Sequence, residues 1–530
     1  MAAEFRLRRV QRVFCTLACA LVIAQIISPP PSAKASDSMH SCVVLNGGGT
    51  FCWGSNSFGQ AGQSMTSSPF CSVTNENGQV TSSSCVLHAA PVVGVPSTSV
   101  VKNFVMGYGH TCCIADVGVL RCWGRNAEGQ VGNGGASSSC AVGSSTVACV
   151  PAPTVISMDP VTRLSAGGWH TCASTEGKVL CWGWNTHGQV GDGTVGGNKP
   201  IPSAILGAAA SDFFSISLSC GGMHSCVVAS TGNLFCWGDN ENGQIGDGTV
   251  ITKTAPVLIA SLIMSAVSAG TGHTCAITNS LSTKEGLLKC WGQNNYGQLG
   301  QGSTSSYSLT PTDVPGISSV VALSLGGWHT CAVNMDGRLY CWGLNDFGQL
   351  GLPPSSNAAC GTAGSSLPCV MSPTQVAVGV SGVATGLYHT CAIVFGGTVS
   401  CWGLNVNGQL GVADTPTPTT VARKDLPTPV VLPAGSKAVI SLWDSSRTGK
   451  VFRTTFRIFP ANALVAGAKN VSAVVSFKLS TSGALPSGSS ITIAYPDLFF
   501  KDAFAPTPAA IGSDLERVSL PVLDCSPPRT

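Results

Sequence analysis

Short hydrophobic runs separated by turn residues alternate along most of this chain, and this pattern predicts strands. In HTCAVNMDGRLYCWG, which begins at His329, apolar residues alternate on both sides of a turn at Met335–Gly337. Two such runs around a glycine-containing turn are typical of a β-hairpin. The polar stretch after each hairpin leads to another strand, such as VVALSLGG from Val320. Each unit therefore offers roughly four short strands.

One phrase recurs seven times: His, Thr or Ser, Cys, an apolar run, Cys-Trp-Gly, an Asn, and Gly-Gln-x-Gly. The copies begin at His40, His110, His170, His224, His273, His329 and His389. A period of roughly 50 to 70 residues is typical of propellers and arrays. A single small sheet cannot bury both of its faces, so neighbouring sheets must stack. The sequence predicts an all-β, seven-bladed β-propeller, with a linear solenoid as the alternative.

The boundaries of the propeller are predicted at residues 36 and 440. The first unit begins soon after the predicted mature N-terminus and lacks preceding strands of its own. Either 417–433 (TPTTVARKDLPTPVVLP) or 438–443 (AVISLW) is expected to return and complete that blade. The repeat stops near residue 440, and alternating runs in 441–530 predict a small, β-sandwich-like and possibly incomplete C-terminal segment. This segment contains Asn470-Val-Ser, the sequon for a glycosylated Asn470.

The N-terminus carries the features of a secretory signal peptide. Four arginines precede an apolar run from Val13 to Ile27, and a proline-rich exit leads to Ala33-Lys-Ala35. We expect cleavage near Ala35, so that residues 1–35 form the signal peptide. A retained membrane anchor is less favoured because the apolar run is short. The prediction is a secreted or extracellular-surface protein with no membrane span after cleavage.

An oxidising destination makes the 25 cysteines a disulfide framework. The two cysteines of most repeats lie ten residues apart, centred on the turn, so they should face each other on neighbouring strands. The predicted hairpin pairs are Cys42–Cys52, Cys112–Cys122, Cys172–Cys181, Cys226–Cys236, Cys275–Cys290, Cys331–Cys341 and Cys391–Cys401. Pairs inside insertions are predicted for Cys71–Cys85, Cys140–Cys149 and Cys360–Cys369. Cys113, Cys220 and Cys525 have no evident partner.

Charge and motifs narrow the classes of function. A net charge of +3, with no basic block outside the signal, predicts no nucleic-acid partner. Each His-x-Cys resembles part of a metal site, but a position repeated seven times favours a structural role. Hydrolase and phosphate-binding signatures are not found, so we predict neither an enzyme nor a cofactor. The tryptophan of each Cys-Trp-Gly is expected to pack between blades rather than bind a glycan.

The motifs Gly-x-x-His-Thr, Trp-Gly-x-Asn and Gly-Gln-x-Gly resemble the repeats of the regulator of chromosome condensation (RCC1-like) family. The resemblance covers about His40 to Gly411 and implies a seven-bladed propeller. Founding members are guanine nucleotide exchange factors for a small GTPase, but fold does not determine function and no GTPase-contacting residue is matched. The added cysteines are similar to those in the ectodomains of Crinkly-type plant receptor kinases. This second resemblance implies recognition rather than catalysis.

The expected function is therefore an extracellular or cell-surface module that binds an unknown protein or glycan partner through one face of a monomeric propeller. The three cysteine-closed insertions all follow Gly-Gln-x-Gly and should emerge on one face, where rigid loops suit a preorganised binding surface. The alternative is that they are tolerated surface insertions stabilised against proteolysis. Trp169, Trp328 and Tyr388, each just before a repeat histidine, are candidate binding residues. The alternatives are a guanine nucleotide exchange factor, a secreted enzyme on a propeller and a passive matrix component.

Overall fold

A computed structural model of the chain describes residues 39–433 with gaps, and two short strands beyond them. The gaps are 46–48, 66–69, 75–79, 97–98, 143–144, 208–214, 260–262, 279–285, 361–365, 395–396 and 413–422. One compact unit, Ala20–Ser446, contains all seven blades, and the other combines Met1–Cys19 with Arg447–Thr530. The predicted signal peptide, Asn470 and Cys525 lie outside the described residues.

The seven repeats form seven antiparallel sheets, as the sequence predicts. The strands of blades 1 to 3 are β1 (His40–Val44), β2 (Thr50–Ser55), β3 (Phe70–Thr74), β4 (Val80–Pro91), β5 (Val101–Met106), β6 (His110–Ala115), β7 (Val119–Arg125), β8 (Ser138–Val142), β9 (Ser145–Val155), β10 (Arg163–Ala166), β11 (His170–Thr175), β12 (Lys178–Gly183) and β13 (Lys199–Ala204). Blade 1 contains β1–β4, blade 2 contains β5–β9, and blade 3 contains β10–β13.

The strands of blades 4 to 7 are β14 (Ser215–Cys220), β15 (His224–Ala229), β16 (Leu234–Gly238), β17 (Lys253–Leu258), β18 (Met264–Ala269), β19 (His273–Thr278), β20 (Leu288–Gln293), β21 (Tyr307–Asp313), β22 (Val320–Leu325), β23 (His329–Asn334), β24 (Leu339–Leu344), β25 (Ala358–Cys360), β26 (Leu367–Ala377), β27 (Val380–Thr385), β28 (His389–Val394), β29 (Val399–Leu404) and β30 (Arg423–Pro429). Blades 4, 5 and 7 have four strands each, and blade 6 has the five strands β22–β26. A 3₁₀ turn covers Pro354–Ser356, and β31 (Ser476–Phe477) pairs with β32 (Val518–Ser519) in the other unit.

The register of each central hairpin follows from its two cysteines. In blade 6, Cys331 pairs with Cys341 and His329 pairs with Gly343. Ten disulfides connect the pairs that the sequence predicts, with Cα separations of 4.0–4.2 Å in the seven hairpins and 5.7–5.8 Å in the three insertions. Cys113 and Cys220 are free and buried.

The core consists of layers between successive blades. The tryptophan of each Cys-Trp-Gly is fully buried, together with the hairpin disulfide next to it. In six of the seven blades, its indole packs on the final glycine of Gly-Gln-x-Gly in the preceding blade; a Cβ on Gly132 would lie only 2.6 Å from Nε1 of Trp182. The tryptophans therefore pack between blades, as expected.

The structure contradicts one of the two segments that the sequence analysis offered to complete blade 1. Within 417–433, the described strand β30 pairs with β29, with Cys401 opposite Thr428, and so completes its own blade 7. The prediction that this segment returns to blade 1 is therefore wrong, because β29 needs an outer partner as the third strand does in the other blades. The other candidate, 438–443, lies outside the described residues. Among the described strands, none pairs with the inner edge of β1.

The three insertions lengthen the outer strands of blades 1, 2 and 6 into hairpins: β3–β4, β8–β9 and β25–β26. Each disulfide cysteine on the long strand pairs with the residue just after Cys-Trp-Gly; for example, Cys149 lies opposite Arg125. This level is one residue beyond the glycine that pairs with the repeat histidine. The expectation that the insertions emerge at the same end of the blades is confirmed.

Candidate recognition face

A ring of buried histidines connects the blades at the end where the three disulfide-closed hairpins lie. Each repeat histidine is 0% exposed, and its Nε2 lies 2.6–3.3 Å from the hydroxyl oxygen of the following blade. The pairs are His40–Thr111, His110–Thr171, His170–Ser225, His224–Thr274, His273–Thr330, His329–Thr390 and His389–Ser41. The Thr or Ser that follows each repeat histidine therefore joins two blades.

The hydroxyl groups determine the tautomer of the histidines. Each hydroxyl group also donates a hydrogen bond of 2.7–3.0 Å to the main-chain carbonyl oxygen of the Gly-Gln-x-Gly glutamine in the preceding blade. A carbonyl oxygen only accepts, so the hydroxyl must donate to it and must accept from the histidine. Nε2 therefore carries the proton, and the buried Nδ1 has no hydrogen-bond partner among the described residues. The same glutamine carbonyl accepts the Trp indole N–H at 2.9–3.0 Å.

Burial keeps all seven imidazoles neutral. Burial is the main cause that lowers each pKa from 6.5 to about 3, and neighbouring histidines or Arg125 contribute to the lowering at several positions. In blades 2 to 6, the glycine three residues before the histidine provides the necessary space; a Cβ on Gly167 would lie 2.6 Å from Nδ1 of His170. The repeated histidine is thus a structural hydrogen-bond donor at the blade interface.

The turn Asn-x-x-Gly-Gln holds the rim of this end in shape. In blade 3, Oδ1 of Asn185 accepts the main-chain N–H of Val190 at 3.1 Å, and Oε1 of Gln189 accepts that of His187 at 2.9 Å. These bonds use the side-chain oxygens of the asparagine and the glutamine. The two residues between the asparagine and the glycine remain free to vary in chemistry from blade to blade.

Two loop side chains fill the centre of this end. Tyr108 of blade 2 is 1% exposed, and Leu387 of blade 7 is 3% exposed. Burial raises the pKa of Tyr108, and Thr271 of blade 5 acts in the opposite direction. Its main-chain N–H donates to Gly168 of blade 3 at 3.0 Å.

We call the surface around these loops the aromatic face, defined by Trp169, Trp328 and Tyr388. Its first cluster joins blades 1 to 3. The guanidinium of Arg125 lies 4.3 Å from the ring centre of Trp169 and 5.9 Å from that of Phe58, and its Nη2 is 2.7 Å from Oε1 of Glu128. Tyr108 meets the half-buried Trp169 edge to face at 5.0 Å. The face of this candidate residue is therefore occupied by an internal cation.

The second cluster joins blades 5 to 7. The rings of Trp328 and Tyr388 are 5.4 Å apart, and Phe347 meets Tyr388 edge to face at 5.1 Å. Trp328 is 8% exposed, whereas Tyr388 and Phe347 are half-buried. Of the candidates in this cluster, Tyr388 is thus the one with substantial exposed surface, and Trp328 supports it from below.

An acidic side chain adjoins the second cluster. Asp346 is half-buried, and burial raises its pKa, although Gln349, turn amides and Arg423 act against that rise. Nε2 of Gln349 donates to Oδ1 of Asp346 at 2.8 Å. Burial is the main cause that raises the pKa of Tyr296 and of Tyr388, and the Asp346 carboxylate is the second cause. Asp346 therefore lies in the electrostatic neighbourhood of both phenols.

The stapled hairpins adjoin the two clusters. Cys140 and Cys149 of the blade 2 hairpin pack with Phe58, and Leu367 of the blade 6 hairpin packs with the second cluster. Each hairpin is held by a disulfide, so it presents a fixed rim beside the aromatic residues. A rim of this kind is preorganised for contact with a partner.

Among the described residues, the opposite end of the blades contains a cavity rather than an aromatic cluster. A cavity of about 340 Å³ lies there between blades 2, 3 and 4, beside the turn at Val117 and Gly118. Its charged lining residues are Lys102 and Arg163, and Nε of Arg163 donates to the carbonyl of Ser215 at 3.1 Å. None of the three candidate binding residues lines this cavity.

One cluster of sulfur and nitrogen atoms has the geometry of a metal site. His170, Cys172 and Cys220 bring one ligand atom each to within 4.8 Å of the others. Cys172, however, is bonded to Cys181, and Nε2 of His170 faces the hydroxyl of Ser225. A disulfide sulfur is not the thiolate that zinc binds, so the oxidised site does not fit a metal ion.

A model of the RCC1-like domain family matches residues 72–442. The chain belongs to this family. The earlier resemblance to RCC1-like repeats is thereby confirmed, and the seven-bladed architecture is that of an RCC1-like propeller. Within the described part of this RCC1-like chain, no helix is long and apolar enough to cross a membrane.

Individual relatives and solved structures are similar to this RCC1-like chain. The ultraviolet-B receptor of Arabidopsis thaliana is 28% identical over 372 residues, which cover 58% of this chain and 78% of the receptor. Yeast RCC1 (Prp20), solved bound to Kap60, superposes with a TM-score of 0.60 at 19% identity, covering 79% of this chain and 94% of that chain. The Crinkly ectodomain of an Arabidopsis thaliana receptor kinase gives a TM-score of 0.39 at 18% identity, covering 76% and 99%. The yeast match shows the fold alone, and the Crinkly match is too loose to support an inference.

Sequence reasoning missed several residues of the face. Arg125, Glu128, Phe58, Asp346 and Phe347 all occupy variable positions of the Trp-Gly-x-Asn-x-x-Gly segment. Reading those positions from blade to blade reveals an uneven distribution of charged and aromatic residues. Their proximity to Trp169 and Tyr388 depends on contacts between blades and has no signal in a single repeat.

Proposed function

We propose that this RCC1-like chain is a secreted or cell-surface recognition module that binds a protein or glycan partner through the aromatic face. The observation that carries the proposal is the combination of half-buried aromatic side chains with disulfide-stapled hairpins at one end of the blades. Aromatic residues on a rigid scaffold are typical of binding surfaces. The arrangement supports recognition without any reacting group.

The framework of cysteines supports the extracellular part of the proposal. Ten disulfides within one propeller support an oxidising compartment, because cytosolic thiols are kept reduced. The basic and apolar N-terminus predicted as a signal peptide agrees with that compartment. Family membership leaves guanine nucleotide exchange on a small GTPase as the alternative function.

The compartment is tested by expressing the full chain in a secreting cell and mapping its peptides without reduction. We expect an N-terminus near Ser36 and the ten disulfides in protein from the medium. Free thiols on a full-length intracellular chain would overturn the extracellular assignment. In parallel, release of a fluorescent GDP from a nuclear-type small GTPase measures exchange, and catalysed release would favour the alternative.

Binding through the aromatic face is tested with matched valine variants. Val406 lies half-buried beside the second cluster, whereas Val117 is 84% exposed at the opposite end. We expect Val406→Glu to abolish binding of the secreted protein to the surface of its source cells and Val117→Glu to leave binding unchanged. Pretreating the cells with protease or with glycosidase identifies the class of partner. Loss of binding only in Val117→Glu would assign the opposite end instead.

A further inference from the structure

The two aromatic clusters share three equivalent repeat positions, and only one of them contains its own cation within the cluster. In the first cluster, Arg125 follows Cys-Trp-Gly of blade 2. Phe58 comes from the turn of the preceding blade, and Trp169 precedes the histidine of the next blade. The guanidinium lies against both rings and forms an ion pair with Glu128. The fold thus shows how this arrangement binds an arginine.

The second cluster repeats the arrangement around blade 6 without the arginine. Leu344 takes the position of Arg125, Tyr296 takes that of Phe58, and Tyr388 takes that of Trp169. Leu344 is buried beneath the cluster, so the half-buried rings of Tyr296, Phe347 and Tyr388 have no guanidinium from that position. An acidic residue is also present one position earlier in the turn, because Phe347 takes the position of Glu128 and Asp346 takes that of Ala127.

The carboxylate of Asp346 lies among neutral hydrogen-bond donors. Its side-chain partner is the amide of Gln349. One nearby cation, Arg423, donates from Nη1 to the main-chain oxygen of Asp346 at 3.2 Å and pairs through Nε with Asp425 at 3.2 Å. The salt bridges of the described residues do not include the Asp346 carboxylate. A half-buried carboxylate beside aromatic rings favours a cation from outside.

We propose that Asp346, Tyr296, Phe347 and Tyr388 form a site for an arginine side chain of a protein partner. The guanidinium lies against the half-buried rings and pairs with the Asp346 carboxylate, as Arg125 does with Trp169 and Glu128. This assignment rests on the proposed recognition function and specifies its partner as a basic protein segment.

The site is tested with N-acetyl-arginine amide, using N-acetyl-citrulline amide as the uncharged isostere. Ligand-observed NMR on the full secreted chain measures both affinities. We expect arginine amide to bind at least about tenfold more tightly than citrulline amide, and Asp346→Asn to remove that preference. Asp336→Asn makes the same charge change at an exposed turn at the opposite end of blade 6 and should retain it. Equal binding of the two probes to the parent chain would overturn the proposal.

A second variant tests the comparison between clusters. Arg125→Leu removes the internal cation from the first cluster and leaves Glu128, Phe58 and Trp169 in place. We expect this variant to bind about one additional equivalent of arginine amide. Unchanged stoichiometry in a variant that retains its near-ultraviolet circular dichroism spectrum would contradict the equivalence of the two clusters.

The cell-binding assay separates this proposal from the proposed function. Cell-surface binding that is lost in Val406→Glu but unchanged in Asp346→Asn would overturn the arginine site and leave the aromatic face as the recognition surface. Cell-surface binding that survives both changes would contradict the recognition face, whereas the probe measurements would still report on the arginine site itself.

Discussion

Nε2 of His389 lies 3.3 Å from Oγ of Ser41, although the two residues are 348 positions apart in the chain. Ser41 Oγ also donates to the carbonyl of Gln409 at 2.9 Å, and Trp53 donates its indole N–H to the same oxygen. These are the contacts that every other pair of adjacent blades makes. The ring is therefore closed between blades 7 and 1 by the same side-chain hydrogen bonds that hold its other interfaces.

Acid should destabilise this propeller steeply. The folded histidines have a pKa of about 3, whereas the unfolded ones have 6.5, so between these values only the unfolded chain binds protons at these sites. The free energy of unfolding consequently falls as the pH drops below 6.5, by up to about 1.4 kcal/mol per pH unit for each histidine. Denaturant titrations from about pH 7.5 to about pH 5 measure the slope.

A single substitution measures how much one histidine contributes to this pH dependence of stability. Gln in place of His224 keeps an N–H donor but cannot take up the proton, so His224→Gln should reduce the number of protons bound on unfolding by about one. A stability that stays constant over the same pH range would contradict the burial of neutral imidazoles.

The threonine between two blades should be more important for stability than its size suggests. Thr274→Val removes the acceptor of His224 and the hydroxyl donor to Gln244 while keeping the shape of the side chain. We expect a loss of about 1–3 kcal/mol in the free energy of unfolding, since a buried N–H loses its partner. Thr310→Val, at an exposed position of blade 5, should change stability by less than about 0.5 kcal/mol. Urea denaturation of both variants provides the comparison.

Each hairpin disulfide should contribute measurably to stability. Replacing Cys226 and Cys236 together by alanine opens a loop with a sequence separation of 10. On the chain-entropy model, the unfolded state gains enough freedom to lower the free energy of unfolding by about 2.7 kcal/mol. Thermal and denaturant unfolding of the double variant measure the loss. A variant as stable as the parent would show that the bridge offsets its entropic contribution by strain.

The two free thiols among the described residues should resist modification in the native protein. Burial raises the pKa of Cys113 and of Cys220 to about 12, so very little reactive thiolate exists near neutral pH. Iodoacetamide should label both cysteines only after denaturation, as mass spectrometry of the digested protein will show. Recovery of a peptide joining Cys172 to Cys220 would instead reveal exchange with the neighbouring Cys172–Cys181 bond.

The sequence predicts well what each repeat determines by itself. The spacing of Cys331 and Cys341 around a turn fixes a hairpin register, and seven copies fix the number of blades. Contacts between blades are harder to predict from the sequence, because Trp328, Phe347 and Tyr388 meet only after the blades stack. The partner of β30 illustrates the same limit: a strand after the last repeat has two possible sheet edges, and only the assembled structure distinguishes them.

The histidine and glutamine contacts also give the propeller a rotational direction. Every Nε2–H points from one blade toward the next, and every glutamine carbonyl accepts from the blade that follows it. Each interface thus takes half of its hydrogen-bonding groups from each of two repeats. A repeat excised alone therefore has unpaired hydrogen-bonding groups on both of its sides. Duplication or loss of a blade must therefore keep each histidine and glutamine next to the Thr or Ser and the Trp of the following blade. This requirement restricts how such a ring lengthens or shortens during evolution.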